Sequence, residues 1–252
     1  MSTIFTLGLQ PGLQAINFPI EKKLRQQDPE FVRGTFAAIA SRYDLANHLL
    51  SGGMDFLWRA RVAKIVQGWN AKRILDLATG SGDLALTMQK KCPEMHIVAA
   101  DFCLPMLAKA LEKGMLDVVH ADAMQLPFKD GMFDGVTVAF GLRNMKSWSG
   151  ALREMARVIK PGGHLLILDF SLPAPGLMRS FYRFYLHRIL PVIAGLVTGD
   201  KGAYDYLGES IEQFPHGEAM AQMIDENNFQ HACAQALTLG IVSIYTATRR
   251  TA

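Results

Sequence analysis

Short apolar runs rich in β-branched residues alternate with helix-period patterns through the middle of this chain, and few folds accept that rhythm. A strand that is apolar along its length must be covered on both faces, which βαβ units around a parallel sheet provide. Strands are predicted over 73–78, 96–101, 117–122, 135–140 and 163–170, with helices over about 82–91, 105–113 and 148–159 between them. Trp148, Leu152, Met155, Ala156 and Ile159 recur at helical spacing and mark one buried face. Pro161-Gly162-Gly163 is expected to stop that helix and turn the chain into the next strand. An insertion over 172–214 follows, then a helix over 216–227 and two strands, 231–237 and 240–248, close enough to form an antiparallel hairpin at one end of the sheet. A helical segment over 31–67 precedes the first strand. The expected fold is α/β: a seven-stranded, mostly parallel sheet with an antiparallel last strand, helices on both faces, and a helical insertion before the last two strands.

A chain of 252 residues, 50% of them apolar, can bury one substantial core. The reading is a single domain over 29–252 behind a poorly ordered extension, 1–28. That extension has no positive charge ahead of its apolar residues and is interrupted by Pro11 and Pro19, unlike a secretory signal. The net charge of +3 is mild and no Lys/Arg run accompanies it, which argues against nucleic acid as a partner. Cys92, Cys103 and Cys233 form neither a C-x-x-C pair nor a zinc-spaced cluster, so no metal is expected and a reducing cytoplasm fits. The longest apolar stretch, 185–197, is broken by His187, Arg188 and Pro191 and is shorter than the ~20 residues that span a bilayer. Peripheral contact with the inner face of a membrane is compatible with it; crossing is not.

The first predicted strand runs from Ile74-Leu75-Asp76-Leu77-Ala78 into Thr79-Gly80-Ser81-Gly82-Asp83, a glycine turn that opens a helix. Glycine there has two explanations: a tight strand-to-helix turn, or close approach of backbone N–H groups to a carboxylate or phosphate. Asp101 ends the second strand roughly 20 residues beyond a nucleotide turn, where a carboxylate meets the hydroxyls of a ribose, unless it caps the next helix. Asp122 and Ala123 end the third strand, where a carboxylate and the following N–H can read an adenine edge. Three consecutive strand ends of this kind suggest an adenosine site. Gly80, Gly82 and Ala85 also satisfy G-x-G-x-x-G/A, so the spacing alone admits NAD, though hydride transfer leaves the remaining motifs without a role.

Those motifs are Ser41-Arg42-Tyr43-Asp44-Leu45-Ala46-Asn47, Ser51-Gly52-Gly53, Leu57-Trp58-Arg59, Asp122-Ala123 with Leu126-Pro127-Phe128, Phe140-Gly141-Leu142-Arg143-Asn144, Arg157 to Gly163, and Tyr206-Leu207-Gly208-Glu209-Ser210-Ile211 with Phe214-Pro215. Through them the chain, from about 31 to 248, resembles the ubiquinone/menaquinone C-methyltransferase family, of the class I, Rossmann-like methyltransferase fold. The resemblance implies S-adenosyl-L-methionine as methyl-donor cosubstrate, with Gly80, Ser81 and Gly82 near its methionine part, Asp101 on the ribose, and Asp122 with Ala123 on the adenine. Ser81 stands where the family usually has Thr, Asp169 where it usually has Glu, Ala46 where a larger apolar residue is usual, and Ala139 where some members have Ser.

The implied acceptor is a prenylated quinol, demethylmenaquinol first and the benzoquinol of the ubiquinone route as the alternative. A catalytically inactive, donor-binding regulatory protein is the reading of a different class. Arg143 is the candidate for stabilising a ring oxyanion, since a guanidinium stays charged and offers several donors. Asn144 would orient the same oxygen, and Tyr43 would close over the ring. His120, His164, His187 and His216 sit in no recognised motif, so water-assisted proton removal is expected rather than a histidine base. The apolar insertion would complete a core, wall an isoprenoid tail, or both, with Arg179, Arg183 and Arg188 facing anionic lipid. Self-association as a homodimer is compatible with all of this.

Overall fold

The structure, a computed structural model, describes residues 51–190 and 202–251, together with residues 30, 34, 48 and 192. The extension 1–28, Tyr43 and most of the segment expected to be helical before Ser51 lie outside the described residues. Helix α1 (Met54–Gln67) leads into β1 (Arg73–Leu77), α2 (Asp83–Lys91), β2 (His96–Asp101), α3 (Leu104–Glu112), β3 (Val118–His120) and β4 (Phe133–Ala139). A 3-10 turn (Leu142–Asn144), α4 (Trp148–Val158) and β5 (Ile159–Phe170) follow. The insertion carries α5 (Leu177–Phe184), a π turn (Tyr185–Ile189) and α6 (Gly202–Gln213), and the described chain closes with α7 (Glu218–Asp225), β6 (Phe229–Leu237) and β7 (Val242–Arg249).

The seven strands form one sheet in the order β3-β2-β1-β4-β5-β7-β6. β1 to β5 run parallel, and β7 lies antiparallel to both of its neighbours, β5 and β6. Successive residues of the central strands alternate between two cores. Leu75, Leu77, Val136, Val138, Leu165 and Ile167 face Leu152 and Met155 of α4 and Met220 and Ile224 of α7. Ile74, Ile97, Ala99, Leu166 and Leu168 face Trp58, Val62 and Val66 of α1 and Leu84 and Met88 of α2. Both faces are covered, so both sets of side chains must be apolar, which is why these strands carry no polar alternation.

Two expectations need correction. Pro161-Gly162-Gly163 does not separate α4 from the next strand: β5 begins at Ile159, immediately after α4. Phe133 pairs with Ile159 and Gly135 with His164, so the ladder absorbs the segment as an irregularity opposite Asp134. Asp134 holds it, accepting from Lys160 Nζ at 2.5 Å and from the N–H groups of Lys72 and Arg73 at 2.8 Å each. The third strand is also shorter than expected, so Asp122 lies beyond it in a tight turn whose Gln125 N–H returns to the Asp122 carbonyl at 3.0 Å.

Candidate active site

The carboxyl ends of β1, β2 and β4 and the turn after β3 converge on one cavity. Gly80, Asp101, Asp122, Ala123 and Asn144 line it, with Phe102, Met106 and Ala139 to Gly141 supplying apolar walls. Asp101 joins two of these strand ends, its carboxylate accepting from the N–H of Gly80 and of Cys103 at 2.8 Å each. The capping residue of α3 is Cys103, so Asp101 faces the cavity and does not cap that helix itself. Burial raises its carboxyl above the ordinary value, opposed by the backbone N–H groups of Cys103, Gly80 and Phe102. Asp122 is exposed, and its side chain accepts from Met124 N–H at 2.8 Å.

Ala78 and Phe140, both on the cavity wall, hold left-handed backbone with φ of 54° and 57°. Such residues cost about 1–3 kcal/mol each and persist where the surroundings fix them, commonly at functional sites. The two strand ends press together there: a Cβ on Gly141 would lie 2.4 Å from the Ala78 Cβ, so only glycine fits.

Ser81 and Gly82 are not on the cavity wall. Ser81 is buried and receives Lys113 Nζ at 3.0 Å, while Lys113 also pairs with Asp83 at 2.6 Å. Arg59 reaches Asp55 at 2.6 Å and Asp83 at 3.4 Å, and Trp58 Nε1 donates to Thr238 Oγ1 at 2.8 Å. The Leu57-Trp58-Arg59 motif thus fastens α1 to the start of α2. At Gly82, with φ of +82°, a Cβ would meet Ala110 and Met115 at 3.1 Å, so glycine there lets α2 and α3 close together. The Asp122 loop is fixed likewise from α4. Arg157 donates to the carbonyls of Leu126 at 3.0 Å and Phe128 at 2.8 Å, and Glu154 accepts from Leu126 N–H at 2.8 Å.

Beneath the glycine turn, Asp76 is fully buried and accepts from Thr79 and Thr137 hydroxyls at 2.6 Å each. Burial raises its carboxyl from 3.8 to about 6, the two hydroxyls opposing the shift. The folded state therefore binds this proton more tightly than the unfolded chain. The stabilisation it gives is complete below pH 4 and is lost as pH rises through 6. At ~1.36 kcal/mol per pH unit the loss is about 3 kcal/mol. Asp76→Asn is expected to remove this dependence, so that the difference in unfolding free energy between variant and wild type changes by about 3 kcal/mol between pH 4 and pH 8. Parallel denaturation curves at the two pH values check this; a constant difference refutes it.

Arg143 is buried in an ion pair with Asp169. Its guanidinium does not line the cavity: Nη1 donates to Asp169 Oδ1 at 2.7 Å and to the Phe140 carbonyl at 2.6 Å. Asp169 is fully buried at the end of β5, and a carboxylate there requires a close cation. Asn144 does reach the wall, and its Nδ2 donates to the Phe140 carbonyl at 3.3 Å. His120 bonds the Phe102 carbonyl at 3.0 Å, His164 stacks on Trp69, His187 pairs with Glu212 at 3.2 Å and His216 meets Arg179 at 3.3 Å. None of these four histidines lines the cavity. Of the apolar wall, Phe140 stood in a motif without a role assigned to it, and Phe102 and Met106 were missed because single apolar residues after a strand carry no pattern.

The sheet order separates the two nucleotide readings. A dinucleotide fold runs 3-2-1-4-5-6, whereas here β7 is inserted antiparallel between β5 and β6. A model of the ubiE/COQ5 methyltransferase family matches residues 22–249. The chain belongs to this family. It is an S-adenosylmethionine-dependent methyltransferase. A demethylmenaquinone methyltransferase of Thermus thermophilus is 46% identical to it over 85% of this chain and 99% of that one. One from Deinococcus radiodurans is 40% identical over 90% and 95%. A ubiquinone/menaquinone biosynthesis C-methyltransferase of Geobacter sulfurreducens is 40% identical over 86% and 88%. Among solved structures, a methyltransferase of Thermotoga maritima superposes with a TM-score of 0.63 at 14% identity, covering 87% of this chain and 100% of that one. Haemonchus contortus phosphoethanolamine N-methyltransferase 2, in complex with S-adenosyl-L-methionine, does so with 0.54 at 15% identity, over 71% and 49%. At such identity these two show the shared fold alone.

Proposed function

We propose that this methyltransferase methylates a ring carbon of a prenylated quinol, converting demethylmenaquinol to menaquinol. The supporting observation is that Gly80, Asp101 and Asp122 with Ala123 line one cavity, in a chain whose relatives carry that activity in their names. Gly80 would meet the carboxylate end of the donor, Asp101 the ribose hydroxyls, and Asp122 with the Ala123 N–H the adenine edge. Phe102 and Met106 suit the flat apolar faces of the base. S-Adenosylmethionine supplies an electrophilic methyl group: the ring carbon bonds to it as the carbon–sulfur bond breaks, and the displaced ring proton leaves to water.

The acceptor must be the reduced quinol, because a quinone ring is itself electrophilic. Ionising a phenol of pKa ~10 at pH 7 costs about 4 kcal/mol, so groups near the ring oxygen that favour its anion accelerate the step. Holding acceptor and donor in line contributes another ~7–11 kcal/mol. The benzoquinol of the ubiquinone route is the second reading, favoured by the name of the Geobacter relative. Incubation with labelled donor and each quinol separately, followed by mass analysis, decides between them. Donor binding without methylation of either quinol overturns both.

Helix α5 supports contact with a membrane surface. Leu177, Met178, Phe181 and Phe184 are all exposed, at spacing that puts them along one side of the helix. Arg179 and Arg183 are engaged with the Pro173 carbonyl and with Glu212, both at 2.6 Å, which leaves exposed Arg188 to face anionic lipid. Among the described residues no helix is long and apolar enough to cross a membrane. The wild type is expected to float with anionic vesicles and Leu177→Glu/Phe181→Glu to remain behind with its activity on a detergent-dispersed quinol intact. Equal flotation of the two proteins removes α5 from the contact.

A further inference from the structure

The segment 121–132 puts Asp122, Ala123 and Met124 on the cavity wall, yet between β3 and β4 it has only an isolated bridge, Asp122 to Gln125, and no strand or helix of its own. Its backbone is answered from α4 instead. Arg157 makes five hydrogen bonds, as many as a guanidinium has N–H donors. Nε donates to Glu154 Oε2 at 2.9 Å, Nη1 to the Phe128 carbonyl at 2.8 Å and Asp130 Oδ1 at 2.7 Å, and Nη2 to the Leu126 carbonyl at 3.0 Å and Glu154 Oε1 at 2.6 Å. Glu154 Oε1 also accepts from Leu126 N–H at 2.8 Å, so Leu126 is held at both its N–H and its carbonyl. Gln125, next to it, donates its N–H to the Asp122 carbonyl at 3.0 Å, and the Asp122 carboxylate in turn takes Met124 N–H at 2.8 Å. The contacts run without a break from α4 to the cavity wall.

Stability does not explain so complete a set. A partly exposed ion pair within one helix contributes little, and the segment has apolar anchors already: Leu126 is buried, and Phe128 meets Phe133 edge-on with centroids 5.0 Å apart. Apolar contact is non-directional, whereas a charged fork fixes orientation as well as distance. The Arg157 hydrogen bonds hold the Glu154 carboxyl below its ordinary value, so both partners are charged at neutral pH. We propose that Arg157 and Glu154 are positioning residues for the methyl donor, clamping Leu126 and Phe128 so that Asp122 and Ala123 stand where an adenine edge is accepted and another purine edge refused. This rests on Asp122 and Ala123 meeting the base. Adenine offers an amino group and a bare ring nitrogen to that pair. Hypoxanthine offers an oxygen and an N–H in the same places, setting acceptor against carboxylate and donor against N–H. The refusal is steep only while both protein groups are fixed, because groups free to swing find water instead.

Calorimetric titration with S-adenosylhomocysteine and S-inosylhomocysteine tests this. The wild type is expected to prefer the first by about 100-fold, and Arg157→Lys, which keeps the charge and loses the fork, by less than about tenfold, mainly through weaker binding of the adenine ligand. The KM for the donor should rise in step, while kcat at saturating donor stays within about threefold of wild type. A role in stability alone would weaken both ligands by the same factor, and an unchanged ratio in Arg157→Lys overturns the inference. Asp130→Asn removes only the exposed partner of Arg157 and should keep the wild-type ratio; a collapse there overturns the assignment to the loop carbonyls. If Arg157→Lys does not fold, Glu154→Gln carries the same test, since its amide oxygen can still accept from Leu126 N–H while one arm of the fork loses its acceptor. There too the ratio should fall, and an unchanged one overturns the inference. A wild-type enzyme that does not distinguish the two ligands refutes instead the placing of Asp122 and Ala123 at the base.

Discussion

Arg143→Met is expected to lower the unfolding free energy by about 3–5 kcal/mol. The reason lies in what remains behind. Asp169 is fully buried, its carboxyl already raised by burial with Arg143 the main opposing influence, and without the guanidinium the pocket holds an uncompensated charge or must take up a proton. Protonation relieves the penalty, so the deficit is expected to shrink as pH falls. Removing both partners is a different case, since apolar residues of similar volume often match a buried ion pair. Arg143→Met/Asp169→Leu should therefore recover most of the loss, a coupling that denaturant unfolding of the four-member cycle measures directly. A single-variant cost below about 1 kcal/mol would mean that water reaches Asp169 and that the pair is a surface contact in energetic terms.

The second large effect falls on ligand affinity. Asp101→Ala deletes the carboxylate that receives the Gly80 and Cys103 N–H groups and, in the proposed role, the ribose hydroxyls. Hydrogen bonds to a charged group are worth about 1.5–3 kcal/mol, and every ~1.4 kcal/mol is tenfold. Losing the ribose contacts and the order of the glycine turn together should weaken S-adenosylhomocysteine binding by about 100–1,000-fold. Asp101→Asn keeps one acceptor oxygen and should fall between the two. Calorimetric titration checks this, and an affinity in Asp101→Ala within about threefold of wild type would remove Asp101 from the site.

The sheet and the edge where its strand ends meet were readable because periodicity and strand-end chemistry are local properties. Apolar runs named the strands, and the glycine turn with Asp101 and Asp122 named the edge where they meet. Arg143 was readable as a special residue but not as to its partner, since Asp169 lies one strand away and 26 positions later in sequence. The packing of Ser81 and Gly82 was not legible for a related reason: a turn that approaches a ligand and a turn that seats one helix on another have the same composition.

The position of β7 has a consequence for how this molecule is made. Residues 242–249 stand between β5 and β6, so the strand that emerges before them has no neighbour until they arrive. During synthesis the nascent sheet must wait with the flank of β5 open, a bare row of backbone donors and acceptors of the kind that recruits other chains. A ribosome or protease that stops short of Val242 therefore leaves two unsealed edges rather than one missing strand.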